Sequence, residues 1–373
     1  MEFLKIEEGR RLDIINETAA KMGVLSQAVE KDWWVTQTLR ALFTTGSAKY
    51  FVFKGGTSLS KGWGLIQRFS EDIDLALDRA ALGISKNDDE ISGKGITKMR
   101  VASKQFVSTT LLQELKKALI GIGIPDELFV IEAVETEEEG TDPQVILVKY
   151  NSLTEPNEYF KPEVKIEVMV RSMLNPHEER QIRSFIGTEF PDSSFADSIF
   201  EVVCAHPQKT FLEKIFLLHE LFVIGSIKDG RFRSRHLSDI EKIMDTEFGR
   251  GAIENTTIYD SIVKFRAKFT KVKGVDYGTH SHETIDFIPP IEVKGSWEKD
   301  YSDLAENMFR NDGKALPFSD LIERLELLKE RFREKGRKKG NEESKVIIYT
   351  PNGTIRDKNS YGNDPHPARD TKH

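Results

Sequence analysis

The chain of 373 residues carries 38% hydrophobic and 31% charged residues, enough material for two or three domains around a substantial core. No apolar run nears the roughly 20 residues of a membrane span, and the opening MEFLKIEEGRR lacks the apolar segment of a secretory leader. A formal charge of -7 excludes a surface coated uniformly for nucleic acid but not a local basic patch, and the single cysteine, Cys204, fits a reducing, cytoplasmic setting.

Residues 7–46 read as helical: Leu12, Ile15 and Ala19 recur at helical spacing, and VEKDWWVTQTLRALF carries a second such pattern. The period then changes. YFVF (50–53) predicts a short strand that ends at the Gly55-Gly56 turn, Thr57 an N-cap for a helix to about Gln67, and DIDLAL (72–77) the next strand. Residues 80–95 are polar and glycine-containing, which predicts a loop, and 96–120 place Val107, Leu111, Leu115 and Leu119 on one helical stripe. Strands are predicted at 128–134, 144–150 and 163–170. From about Asp197 the pattern is helical again, through HPQKTFLEKIFLLHELF, HLSDIEKIMD and two helices within 295–335; from Gly336 onward apolar residues are sparse and predict a disordered tail. The expected organisation is N-terminal helices over 1–48, a mixed α+β domain over 49–196, a helical domain over 197–335 and a tail over 336–373.

Strand side chains alternate faces, so Asp72 and Asp74 point the same way. Two neighbouring carboxylates repel, and a divalent cation between them removes that cost; hard oxygen ligands suit Mg²⁺ or Mn²⁺. A solvent-facing strand edge would show the same triplet. Upstream, Gly55 and Gly56 sit at a strand-to-helix junction suited to phosphate, with Thr57 and Ser58 as hydroxyl donors and Lys54 beside them. A plain turn with a plain cap reads the same way, and Ser70 is a further hydroxyl of lower rank than Ser58. Together, a phosphate cradle and paired carboxylates on adjacent units describe one site for a metal-bound polyphosphate.

The run K-G-G-T-S-L followed by R-F-S-E-D-I-D-L resembles the nucleotidyltransferase signature of the DNA polymerase β-like superfamily, and within it the AbiEii/AbiGii toxin family of bacterial abortive-infection and toxin–antitoxin systems. The similarity extends over roughly 30–330, including KDWWVTQTLRALF, VKIEVMV, TFLEKI and RHLSDIEKI. It implies a polymerase β-like nucleotidyltransferase domain, a mixed sheet flanked by helices, followed by a C-terminal helical domain. It also implies that Lys214 and Asp239 complete the active site and that a third carboxylate stands on a later strand, for which Glu167 is the candidate. An NTP substrate, an RNA acceptor such as the 3′ end of tRNA, and a cognate antitoxin follow from the same resemblance.

Lys214 lies at the border of an apolar helix face, a place for a lysine that snorkels or one that reaches a phosphate. Lys209 begins a Lys-x-x-x-x-Lys spacing with it and ranks second as a phosphate ligand. Asp239 shares a face with Ile243, where an ordinary first-turn aspartate would also stand. Arg231, Arg233 and Arg235 precede Asp239 closely, and KFRAKFTKVKG (264–274) interleaves basic residues, Lys268 among them, with Phe265 and Phe269. These are candidates for nucleic-acid contact, and an amphipathic surface helix gives the second pattern equally. His280 and His282 in THSHE read as loop residues. Protein nucleotidylation or phosphotransfer on the same fold, and a toxin that acts by binding alone, are the alternatives.

Overall fold

The computed structural model describes residues 1–135, 142–155, 160–225, 233–309, 315–343, 348–349 and 355–356. Its helices are α1 (Glu8–Met22), α2 (Ser26–Leu42), α3 (Gly55–Lys61), α4 (Gly93–Phe106), α5 (Leu112–Gly121), α6 (Phe185–Glu189), α7 (Pro207–Ile224), α8 (Arg235–Met244), α9 (Glu247–Glu254), α10 (Thr256–Phe265), α11 (Ile291–Met308) and α12 (Phe318–Glu343). Strands β1 (Phe51–Lys54), β2 (Ile73–Leu77), β3 (Phe129–Ala133), β4 (Gln144–Tyr150), β5 (Glu163–Met169), β6 (His177–Ile182) and β7 (Phe200–Ala205) form one sheet in the order β3-β4-β5-β2-β1-β7-β6. The sheet is mixed: β2 runs parallel to β5 and β1 parallel to β7, while the other neighbours are antiparallel.

The first core joins the sheet to α1, α2 and the buried face of the continuous α4–α5 helix, with Trp33, Trp34, Leu75, Leu111, Leu115 and Ile166 inside it. A second core holds the C-terminal helices together around Phe216, Leu218, Ile240, Tyr259, Trp297 and Phe332. This is the α+β arrangement expected, a mixed sheet flanked by helices and followed by a helical region. The stripe Val107, Leu111, Leu115 and Leu119 is buried as its spacing requires, although a π-helical turn at Val107–Leu111 divides α4 from α5.

Four expectations change. The helix after the glycines starts at Gly55, capped by Lys54, and stops at Lys61, so Thr57 is inside it and does not cap it. Strand β7 lies where a helix was expected after Asp197 and pairs with β1, so the sheet extends past 196 and the helical region begins at Pro207. FEVVCA is apolar but for Glu201 and lies close before the apolar helix behind it; the break is Pro207, which suits a first helical turn because its missing N–H costs nothing there. Strand β6, HEERQI, is an exposed, charged edge with no alternation to read, a composition that discourages edge-to-edge pairing. Finally, α12 continues through Gly336 to Glu343 where a tail was expected to begin. His280 and His282 stand in a loop, as expected, and are buried there.

Leu218 is fully buried in α7, the helix that carries Lys214. Leu218→Ala should cost about 2–5 kcal/mol, the range for deleting a core leucine side chain, and lower the thermal midpoint accordingly; an unchanged midpoint would contradict the packing described.

Candidate active site

The site lies where β1, β2 and β5 meet α7, α8 and α10, around a cavity of about 410 Å³. Register fixes its acidic side. Asp74 on β2 is flanked by Lys54 on β1 and Glu167 on β5, and Asp72 precedes it by two residues on the same face. All four line the cavity. Burial pushes the Asp74 carboxyl up to about 7, and the like charges of Glu167 and Asp72 add to the effect against the opposing Lys54 and Arg235. Arg235 Nη1 stands 3.9 Å from Asp72 Oδ2, while Glu167 is paired with Lys165 on its own strand.

The glycine pair works differently from an open phosphate cradle. Gly55 has φ +77°, and a Cβ there would run into the Asp74 carboxylate, whose Cγ would be 2.9 Å away. At Gly56 a Cβ would meet Arg68 Nη2 at 2.7 Å and Ser70 Oγ at 2.8 Å. The absent side chains therefore admit site residues of the protein itself. Thr57 is buried and donates its hydroxyl to the Asp72 carbonyl at 2.6 Å, which fixes the backbone of the aspartate without reaching the cavity. Ser58 is buried on the side of Cys204. Ser70 does line the cavity, so the two serines exchange rank.

On the opposite wall, Thr210, Glu213, Lys214 and Leu217 face the cavity from one stripe of α7. Lys214 and Arg68 converge on Asp239, which is fully buried. Arg68 grips it with both arms, Nε to Oδ1 at 2.6 Å and Nη2 to Oδ2 at 2.8 Å, and Lys214 Nζ lies 3.0 Å from Oδ2. Burial opposes the charge on Asp239, yet the two cations outweigh it and hold the carboxyl well below the usual range. Burial lowers Lys214, against the pull of Asp239. His236, whose Nδ1 is 3.3 Å from Lys214 Nζ, is pushed well down by burial and then by Lys214 and Arg235, so it stands neutral. Asp239 thus stands behind the wall: Arg68 and Lys214 reach the cavity and Asp239 does not.

Lys209, expected as a phosphate ligand, is fully buried, donates to the carbonyls of Met173 and Leu174 and does not line the cavity. Arg233 is held through its backbone N–H by Asp300 Oδ2 at 3.2 Å and does not line the cavity, and Arg231 lies outside the described residues. Lys268 is half-buried beside Phe269; the cavity wall takes Phe265, Arg266 and Thr270 from that stretch instead. Arg266 is fixed by buried Glu220 through two bonds of 2.7 and 2.5 Å. Sequence reasoning missed Arg68, Arg171, Glu213 and His236, and singled out the stretch of Arg266 only for nucleic-acid contact. For Arg68 a signal existed, an arginine inside the apolar run LIQRF.

The residues fit a divalent cation at the Asp72–Asp74 pair, because an ion there would offset the burial, and after it the like charges of Glu167 and Asp72, that lift Asp74. Among the described residues no three acidic, histidine or cysteine side chains already converge as ligands, in keeping with Glu167 being drawn to Lys165.

Two aspartates and Glu167 thus face Arg68 and Lys214 across one cavity. The chain belongs to the AbiEii nucleotidyl transferase toxin family of type IV toxin–antitoxin systems, whose profile matches residues 37–338. Among solved structures it is similar to MenT4, a nucleotidyltransferase toxin from Mycobacterium tuberculosis H37Rv, at 14% identity over 87% of each chain, with a TM-score of 0.43. No curated protein matches it in sequence. Among the described residues, no helix is long and apolar enough to cross a membrane.

Two outcomes follow from the buried charges. Asp239→Asn strands Arg68 and Lys214 and should cost about 3–5 kcal/mol in urea denaturation, whereas Asp72→Asn relieves repulsion and should cost nothing. Burial pushes Lys209 down from 10.5 to about 8. Between these values the unfolded chain keeps a proton that the folded chain has lost, so stability from this residue rises with pH across the window. The wild type should therefore gain thermal stability relative to Lys209→Met on going from pH 8 to pH 10.5; a constant gap would contradict this.

Proposed function

We propose that the protein transfers a nucleoside monophosphate from an NTP to the 3′ hydroxyl of an RNA, with tRNA as the acceptor class and Mg²⁺ as the ion. The observation that carries this reading is the polarity of the cavity, with Asp72, Asp74 and Glu167 on one wall and Arg68, Lys214 and Arg235 within reach of the same space. Asp72 and Asp74 would hold the ion, with Glu167 beside them; when bound, Mg²⁺ neutralises phosphate charge and makes the acceptor hydroxyl more acidic.

The chain's own residues supply the rest. Arg68 and Lys214 are already oriented by Asp239, so they meet the charge of the triphosphate without reorganising. Lys54, beside Asp74, and Arg266 add further positive charge to the cavity. The acceptor oxygen bonds to the α-phosphorus, the bond from that phosphorus to the bridging oxygen breaks, pyrophosphate leaves, and the hydroxyl proton passes to solvent. Catalysis of this kind is chiefly positioning and electrostatic stabilisation. In the cell the reading assigns the protein to the cytoplasm as the toxin of an abortive-infection, phage-defence pair, restrained by a cognate antitoxin.

Total RNA incubated with α-labelled NTP and Mg²⁺ should become labelled, and Asp72→Asn or Asp74→Asn should reduce labelling by about a thousandfold while preserving the melting profile. Label that arrives only from the γ-position would replace nucleotidyl transfer with phosphotransfer.

A further inference from the structure

A second cavity, of about 830 Å³, adjoins the first and shares Arg68, Ser70, Asp72 and Arg235 with it. Its walls come from both halves of the chain: Lys31 of α2, Glu163 and Lys165 of β5, and Asp303, Leu304 and Met308 of α11. The end of α11 is tied over it, since Phe69 N–H donates to the Met308 carbonyl at 2.6 Å and Arg68 forms a β-bridge with Phe309. Transfer between two substrates requires the attacking oxygen and the departing pyrophosphate on opposite sides of one phosphorus. Two cavities that meet at a carboxylate of the acidic pair provide those two sides.

We propose that this second cavity receives the 3′ end of the acceptor RNA, with Lys161 and Arg235 on its backbone phosphates and Leu304 and Met308 against its terminal nucleoside. This assignment rests on nucleotidyl transfer as the activity of the first cavity. Five basic and five acidic side chains line the second, so it has little field of its own. Several acids are already engaged: Glu71 is 3.0 Å from buried Lys31, and Asp300 accepts from Ser234 N–H at 3.0 Å. Lys161 stands exposed at the rim, and its side chain makes no hydrogen bond or ion pair among the described residues, while Arg235 is 40% exposed between the cavities. An ion at Asp72 would tip the balance further toward an anionic chain.

The test measures binding as well as chemistry. A fluorescent hairpin RNA with a single-stranded 3′ overhang is titrated with the full chain in Mg²⁺, without NTP, for the wild type, Lys161→Glu and Leu304→Trp. Lys161→Glu should weaken binding about tenfold at low salt and reduce the slope of log affinity on log salt by about one. Leu304→Trp should weaken binding at every salt concentration by filling the cavity. Both variants should keep the wild-type melting shift with NTP and Mg²⁺, which also certifies that they fold. RNA affinity unchanged in both, or loss of the NTP shift together with RNA binding, would overturn the assignment. Label found on polypeptide in place of RNA would overturn the class of occupant. Wild-type RNA binding that depends on Lys161, without any nucleotide transfer, would instead remove the proposed activity and leave the RNA site standing.

Discussion

The buried carboxylate of Asp239 is the interaction on which the site depends. It comes from α8, and its two cations come from α7 and from the segment between α3 and β2, so three separated stretches of chain converge on one anion. A charge withdrawn from water in this way is tolerable only when its oxygens are fully engaged, and here both of them are. The consequence is geometric. Arg68 and Lys214 cannot wander, and the sheet domain is locked to the C-terminal helices at the place where they jointly enclose the cavity. A second lock of the same type, Glu220 on Arg266, fixes a further cation at the same cavity.

The acidic wall has the reverse character. Asp72, Asp74 and Glu167 are brought together by strand register and pushed toward mutual repulsion, with Lys54, Lys165 and Arg235 as partial compensation. Each of these cations belongs to an exposed or half-exposed side chain able to move, unlike the guanidinium of Arg68. One wall is therefore prearranged and the other is left with unspent charge, a division suited to a reaction whose substrate carries both a metal and a polyphosphate.

Much of this was legible in the sequence. The Asp72–Asp74 pair stands out because a period of two forces both onto one face, and the strand around Glu167 alternates cleanly, although its pairing with Asp74 is visible only in the fold. Local pattern failed where the meaning of a residue depends on distant chain. Thr57 looks like a cap and Lys209 like a phosphate ligand; nothing near either one reveals the Asp72 carbonyl or the loop carbonyls they meet. Asp239 appeared as a site residue, but its burial behind the wall follows from a contact 171 positions away. Arg68 was overlooked because an arginine in an apolar run has no local partner. Strands β6 and β7 were lost for opposite reasons, one too charged to alternate and the other too apolar to separate from its helix.

Strand β7 also sets how the chain can be divided. It is the sole neighbour of β6 and one of two neighbours of β1, and it leads through His206 straight into the helix that bears Lys214. Expression of the first 196 residues alone would leave β1 with a bare hydrogen-bonding edge and β6 without a mate, an invitation to self-association. The two halves of this protein are thus not separable modules: the last strand of one is the first rung of the other, and fragment-based study would report on an aggregate.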